Sequence, residues 1–212
     1  MSKFDQWLYD RTRSTHQMIS PRLTLRSLTV SDAQAMCDLR IRNRDAFRPF
    51  DPVYPESHFT VKVQAEIIRD FEESERRGNA YGFGIFVRST GALVGRIAIR
   101  NIIRGAAQSG TLGFFLDAEY HNQGIMTEAC AMTVTYGVDS LGLHRIDASV
   151  MPENIPSRRV FEKLGFREEG LAKEYLYING AWRDHILYAT TRRAWHERMA
   201  EQTQSTGDLA SS

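Results

Sequence analysis

Residues 23–28 read as a first strand, with Leu23, Leu25 and the methyl of Thr24 set among basic residues. Ser31-Asp32-Ala33-Gln34 carries the spacing of a capping box. Ala35, Met36, Leu39 and Ile41 then recur at roughly helical intervals. Pro49, Pro52 and Pro55 break the chain into a loop over residues 48–60. A second helix is predicted over residues 61–77, with Val61, Ala65, Ile68 and Phe71 as its apolar face and Gly78 placed to end it. Strand-like segments follow at 81–88, 93–103 and 111–117, the first two joined by a Ser89-Thr90-Gly91 turn. Then come a helix over 125–141, a strand over 144–150 and a short helix over 156–164 that Gly165 can close. Two last strands, 173–178 and 182–190, flank Asn179-Gly180, a strong hairpin signal. This order predicts one mixed α/β (α+β) domain over 21–195, built around a largely antiparallel sheet. Residues 1–20 read as an arm or loosely attached helix, and 196–212 as a polar, disordered tail.

Composition narrows the function more than the fold. The 212 residues suit one domain, and 42% apolar with 25% charged residues is ordinary globular composition. Twenty-seven basic against 26 acidic residues leave a net charge of +1. So even a balance gives no global field for nucleic acid or an anionic membrane, and neither partner is expected. Arg96, Arg100 and Arg104 recur on one strand face and read as a solvated face. Cys37 and Cys130 fall in helical stretches and read as two buried thiols, without metal-ligand spacing. No secretory signal or bilayer-spanning stretch stands out, so a cytoplasmic protein is expected.

The chemistry-bearing stretch is Leu116 to Glu128, where a strand ends, a polar loop containing Gly124 follows and a helix begins. The first turn of a helix holds N–H groups without internal partners and the positive end of the macrodipole. Such a junction can cradle a phosphate, and Gly124 lets backbone approach closely. Many such junctions bind nothing. The loop is neither a Walker loop nor a three-glycine dinucleotide fingerprint. A second strand–loop–helix segment runs through Asn154-Ile155-Pro156-Ser157 to Phe166, where Asn154 and Ser157 either cap the helix or face a ligand.

Together these segments resemble the GNAT superfamily of acetyl-CoA-dependent N-acetyltransferases over about residues 20–192, and within it the RimJ/RimL group. Phe47-Arg48-Pro49-Phe50-Asp51-Pro52, Asn101-Ile102-Ile103-Arg104-Gly105, Gly124 to Ala129, Asn154 to Ser157 and Asn179 to His185 carry the similarity. The resemblance implies a sheet whose fourth and fifth strands splay apart. It places a pantetheine arm in that gap on the backbone of Phe115, Leu116 and Asp117. It places a pyrophosphate on backbone amides of His121, Asn122, Gln123, Gly124, Ile125 and Met126, extending to Thr127. His121 and Met126 depart from the family's Gln/Arg and Gly/Ala. Asn154 and Ser157 match cofactor-side positions, and Phe161 stands where many members carry a tyrosine proposed as general acid. Arg48 and Phe50 resemble the acceptor-side loop; a proline-stiffened connector is the other reading.

The implied reaction is attack of a neutral amine on a thioester, which needs a proton acceptor, an oxyanion donor and positioning. The backbone N–H near Leu116 is the oxyanion candidate, and Ser157 the candidate donor to the leaving thiolate. With Asn179-Gly180 as a two-residue turn, alternation sets Glu174 opposite His185 and Tyr175 opposite Asp184. Glu174, Arg183 and His185 then share one face, and Tyr175, Tyr177, Trp182 and Asp184 the other. Either Glu174, Asp184 and His185 provide the base, or they form a surface pair and a loop brace. Tyr175 and Trp182 are candidate acceptor contacts. The expected acceptor is a protein N-terminus, foremost a ribosomal protein's. A small amine, or binding without catalysis, remains open, as does a monomer or homodimer.

Overall fold

The computed structural model describes residues 8–9 and 16–209, with side chains placed over 16–202. Nine strands form one sheet: β1 (Leu8–Tyr9), β2 (Gln17–Ile19), β3 (Leu23–Arg26), β4 (Tyr81–Val87), β5 (Leu93–Ile103), β6 (Ser109–Leu116), β7 (Arg145–Val150), β8 (Arg167–Ile178) and β9 (Ala181–Thr191). Their spatial order is β1-β2-β3-β4-β5-β6-β7-β9-β8. Every neighbouring pair is antiparallel except β6 and β7. Counted from Leu23, those two are the fourth and fifth strands.

Among the described residues there are six α-helices, beside short 3-10 and π turns: α1 (Ala33–Arg42), α2 (Arg44–Phe47), α3 (Val61–Arg76), α4 (Ile125–Thr135), α5 (Ile155–Lys163) and α6 (Arg192–Leu209). Met36, Leu39, Ala65 and Ile68 pack α1 and α3 onto Leu28 and Leu93 on one side of the sheet. On the other, Ala129, Cys130 and Met132 of α4, Phe161 of α5 and Trp195 of α6 join Phe83, Ile85, Ile97 and Ile99. Strand alternation feeds both layers, which explains how one sheet supports two cores. Cys37 and Cys130 are buried and unpaired. Among the described residues no helix is long and apolar enough to cross a membrane, and no group of three His, Cys, Asp or Glu could hold a metal.

Four local expectations change. The cap before α1 lies at Thr29 and Asp32, not at Ser31 and Gln34: the Asp32 carboxylate, paired with Arg26 at 2.8 Å, accepts the Thr29 N–H at 2.8 Å. Gln34 turns instead to Asp38. The helix expected over 125–141 stops at Thr135 and continues as a π turn, Tyr136–Ser140. Of the expected N-terminal arm, residues 1–7 and 10–15 lie outside the described residues, and the rest extends the sheet as β1 and β2 rather than forming a helix. Beyond Trp195 the chain is helical to Leu209, where a disordered tail was expected. Trp195 anchors that helix, 1% exposed and donating to Thr135 at 3.1 Å, and Glu, Gln, Met and Ala suit its continuation.

Candidate functional site

Parallel pairing of β6 with β7 covers only Ser109, Gly110 and Thr111 against Arg145, Ile146 and Asp147. From Leu112 onward the two strands part, leaving a wedge-shaped gap. The Asp117 N–H donates to Val94 on β5 at 2.7 Å. Alternation therefore turns the Phe115 N–H toward β5 as well and leaves the Leu116 N–H and C=O facing the gap. The Leu116 carbonyl receives the His121 ring at 3.0 Å through Nε2. A carbonyl only accepts, so Nε2 carries the proton. His121 thus braces the end of β6, where the family position carries Gln or Arg.

The loop from Ala118 to Gly124 returns the chain to the start of α4 beside that strand end. Gly124 is the N-cap residue, left-handed at φ +73°, and a side chain there would meet only the Arg22 guanidinium, at 3.6 Å. Gly124 has no side chain to cap the helix, and the Glu128 N–H is the one its carbonyl accepts, at 3.0 Å. The N–H groups of Ile125, Met126 and Thr127 therefore have no intrahelical acceptor. Ile125 and Met126 bury their side chains, so they offer backbone alone. Asn122 is left-handed too, at φ +59°. The Gln123 amide donates back to Glu119 at 2.9 Å, which braces the loop rather than reaching a ligand.

Arg22 is the residue that sequence reasoning missed. It donates to the Gln123 carbonyl at 2.9 Å and to Glu128 at 2.7 Å, so a half-exposed guanidinium stands beside Gly124. Ser20 holds the other Glu128 oxygen at 2.5 Å. These contacts span more than a hundred residues, and no local pattern announces them. Backbone donors, a helix N-terminus, open space at Gly124 and a cation together fit a diphosphate.

The side chain of Asp117 has a structural role that the sequence reading, concerned with its backbone, did not assign. Its carboxylate, 2% exposed, accepts from Arg42 at 2.7 Å and Asn43 at 3.0 Å, while Asn43 accepts the Ala118 N–H at 2.9 Å. It joins the end of β6 to the end of α1. Asn154 caps α5, accepting the Ser157 N–H at 3.2 Å. Ser157, in the first turn of α5, is half-buried. Phe161 is buried against Phe114 of β6 and stacked on Tyr188 of β9, ring centroids 5.6 Å apart in both cases, so α5 bridges the splayed strands.

The hairpin departs from the expected register. Ile178 does pair with Ala181, but Leu176 pairs with Arg183 and Ala172 with His185, with Lys173, Glu174 and Tyr175 bulged between them. Glu174 is left-handed at φ +48°, and its N–H donates to Asp184 Oδ1 at 2.8 Å. Counting outward from the turn assumed unbroken pairing, and this side-chain bond to the backbone stabilises the extra residues instead. Glu174 therefore does not oppose His185. His185 is buried, its Nδ1 donates to the Arg183 carbonyl at 3.0 Å, and Tyr175 packs 5.7 Å away on its side. Asp184 braces the bulge. Trp182 is 61% exposed and lies edge-on to Tyr177.

At its tip the hairpin meets the proline loop, where the Asn179 N–H donates to Asp51 at 2.9 Å. Between them lies a pocket of about 130 Å³, lined by Arg40, Arg44, Arg48, Asp51, Tyr54 and Asn179 among others. Arg48 and Phe50 are exposed beside it. The Phe115 ring points to this side, under the guanidiniums of Arg40 and Arg96 at 5.0 and 5.4 Å. Arg96 is not part of a solvated face: Phe71 and Phe115 cover it, and burial lowers its pKa to about 10. Arg100 and Arg104 are exposed.

Sheet order, splay and helix start define a class, and residues 22–167 match the acetyltransferase (GNAT) domain family. The chain belongs to that family and is an N-acetyltransferase. It is 42% identical over 165 residues, 78% of this chain and 91% of the relative, to the Bacillus subtilis protein named "Probable N-acetyltransferase YjcK". It is 32% identical over 179 residues to the [ribosomal protein uS5]-alanine N-acetyltransferase of Escherichia coli, covering 84% and 92% of the two chains. Among solved structures it is similar to Mycobacterium smegmatis RimJ in complex with CoA-disulfide, with TM-score 0.79, 34% identity and 85% and 90% coverage. The ribosomal-protein-S5-alanine acetyltransferase of Vibrio fischeri superposes with TM-score 0.80, at 32% identity over 84% and 98% of the chains.

Proposed function

We propose that this chain transfers the acetyl group of acetyl-CoA to the N-terminal α-amine of a protein, a ribosomal protein foremost. The observation that carries the reading is the pairing of the β6–β7 gap with the uncapped start of α4. The backbone N–H groups of Ile125, Met126 and Thr127, with Arg22 beside them, would hold the diphosphate of acetyl-CoA, and the Leu116 backbone the amide-bearing arm. The thioester supplies an activated acyl carbon; the protein's own groups do the rest. The Leu116 N–H is the donor aimed at negative charge on the acyl oxygen. As the N–C bond forms and the C–S bond breaks, the Ser157 hydroxyl is placed to relay the proton lost by the acylated nitrogen to the departing thiolate, whose unperturbed pKa of about 8.5 demands no strong acid. Phe161, which lacks a hydroxyl, is consistent with that economy.

The hairpin contributes no paired carboxylate and imidazole. That favours an acceptor already partly neutral: an α-amine titrates at about 7.7–8.0, a lysine at about 10.4. The named activities of the uS5-alanine relatives support the same acceptor class. Three arginines at the pocket disfavour polyamines and aminoglycosides. The test is incubation with acetyl-CoA and peptides with free or blocked N-termini, each with an internal lysine, read by mass spectrometry. Acetylation confined to free N-termini is expected. Lysine-only modification, or no binding of CoA by calorimetry, overturns the proposal.

A further inference from the structure

The arginine-lined pocket carries more positive charge than its surroundings offset. Arg40 is 5% exposed and pairs with Asp51 at 2.6 Å through Nη2. Its Nε is buried and has no hydrogen-bond partner among the described residues. Its guanidinium is otherwise surrounded by the rings of Phe47, Tyr54 and Phe115, at 5.2, 5.4 and 5.0 Å. Arg96, behind it, rests on aromatic rings and makes no ion pair among the described residues. Arg44 pairs with the exposed Glu56, and Arg48 is exposed and makes no ion pair among the described residues. One half-buried carboxylate, Asp51, therefore faces Arg40 and Arg96, with Arg44 and Arg48 at the rim. The same field acts on His58, stacked on Tyr54 at 3.8 Å: burial, then Arg40 and Arg96, hold its pKa near 4.

The pocket's position is fixed by one stretch of chain. Arg42 and Asn43 grip Asp117 at the end of β6, while Arg40 and Arg44, one turn apart, line the pocket. An acceptor entering toward Leu116 thus passes this cationic surface.

We infer that the acceptor is an acidic N-terminal segment, and that a carboxylate a few residues from its reacting amine docks between Arg40, Arg44 and Arg48. This rests on the N-terminal acetylation reading and narrows it to a substrate class. A carboxylate matches the guanidinium forks that Arg44 and Arg48 expose at the rim, with the charge of Arg40 beneath them. A lysine-rich start meets like charge and is rejected.

The experiment compares peptides beginning with alanine or serine that carry Glu, Gln or Lys at the next few positions, using the full chain and acetyl-CoA. kcat/KM about tenfold higher for Glu than Gln, lower still for Lys, and carried in KM, is expected. In Arg48→Gln and Arg44→Gln the Glu-over-Gln ratio falls toward one, with CoA binding by calorimetry reporting that each variant is folded. Arg40 is left in place, because removing it strands Asp51. Equal use of Glu and Gln peptides overturns the inference and leaves N-terminal acetylation standing. A preference that survives both variants overturns the pocket assignment. No α-amine acetylation despite CoA binding overturns both readings.

Discussion

Asp117→Asn separates the two halves of the site with a minimal change of shape. The carboxylate accepts from Arg42 Nε at 2.7 Å, with Nη2 completing the ion pair at 2.7 Å from the same oxygen, and also accepts from Asn43 at 3.0 Å and from the Glu119 N–H at 3.3 Å. Asparagine keeps one oxygen for Asn43 and Glu119 but turns an amide toward Arg42, donor against donor. A buried charge-assisted bond contributes about 1.5–3 kcal/mol. Arg42 is 43% exposed, so water screens its share, and about 1 kcal/mol for the lost hydrogen bond and about 1 kcal/mol for the lost ion pair are appropriate. The expected loss is about 2 kcal/mol, or a fall of about 4–8 °C in Tm. Its pH dependence follows from the carboxyl itself. Burial raises its pKa, but hydrogen bonds from Asn43 and Arg42 outweigh that and hold it below the ordinary range. A depressed carboxyl contributes stability above its unfolded pKa and loses it as pH falls through the folded one. Urea unfolding of both proteins from pH 3 to 7 should show a gap constant above about pH 4 and narrowing below. CoA affinity should weaken several-fold, because β6 ends where Asp117 holds it. A gap under about 0.5 kcal/mol at neutral pH would refute the idea that this carboxylate locks α1 to β6.

Gly124→Ala has room for its methyl but must sit at φ +73°, so about 1 kcal/mol of stability and about tenfold in CoA affinity should be lost. An unchanged calorimetric Kd would show that no ligand approaches that backbone. Glu75 lies at the far end of α3, where burial lifts its pKa to about 7 despite a bond from Ser27. Folded protein then holds a proton that unfolded protein has released between about pH 4.5 and 7, so stability falls as pH rises through that window. Glu75→Gln removes the penalty and should gain about 1 kcal/mol at pH 8 relative to pH 5, after discounting for its residual exposure. Chemical denaturation at the two pH values measures this, and a pH-independent difference contradicts it.

Elements with a strong local signature were legible in the sequence. The apolar face and flanking turns placed α3 within a residue, and Asn179-Gly180 fixed the turn that pairs Ile178 with Ala181. The arm was not legible, because β1 and β2 contribute only two and three residues to the sheet and show no period of their own. The hairpin failed beyond its first three pairs for a comparable reason. Its bulge is held by Asp184 reaching across ten positions to the Glu174 N–H, a bond that alternation does not encode.

The same distinction orders the candidate site. A ligand held by main chain needs a strand end, a glycine and a helix start in sequence, so Leu116 to Thr127 could be proposed from the sequence, and even His121 in a foreign position leaves the backbone donors in place. The charged groups lie elsewhere. Arg22 reaches Glu128 across 106 residues, and Asn179 reaches Asp51 from the other end of the chain. The proposed acceptor pocket is assembled from α1, α2, the proline loop and the hairpin turn, segments brought together by the tertiary fold. A backbone cradle can thus persist while the arginines around the acceptor change, so the identity of the acyl donor is constrained by fold and the choice of acceptor by side chains. Under the acidic-acceptor proposal those side chains are Arg40, Arg44 and Arg48 in this chain, and acidic N-termini are the choice they would favour.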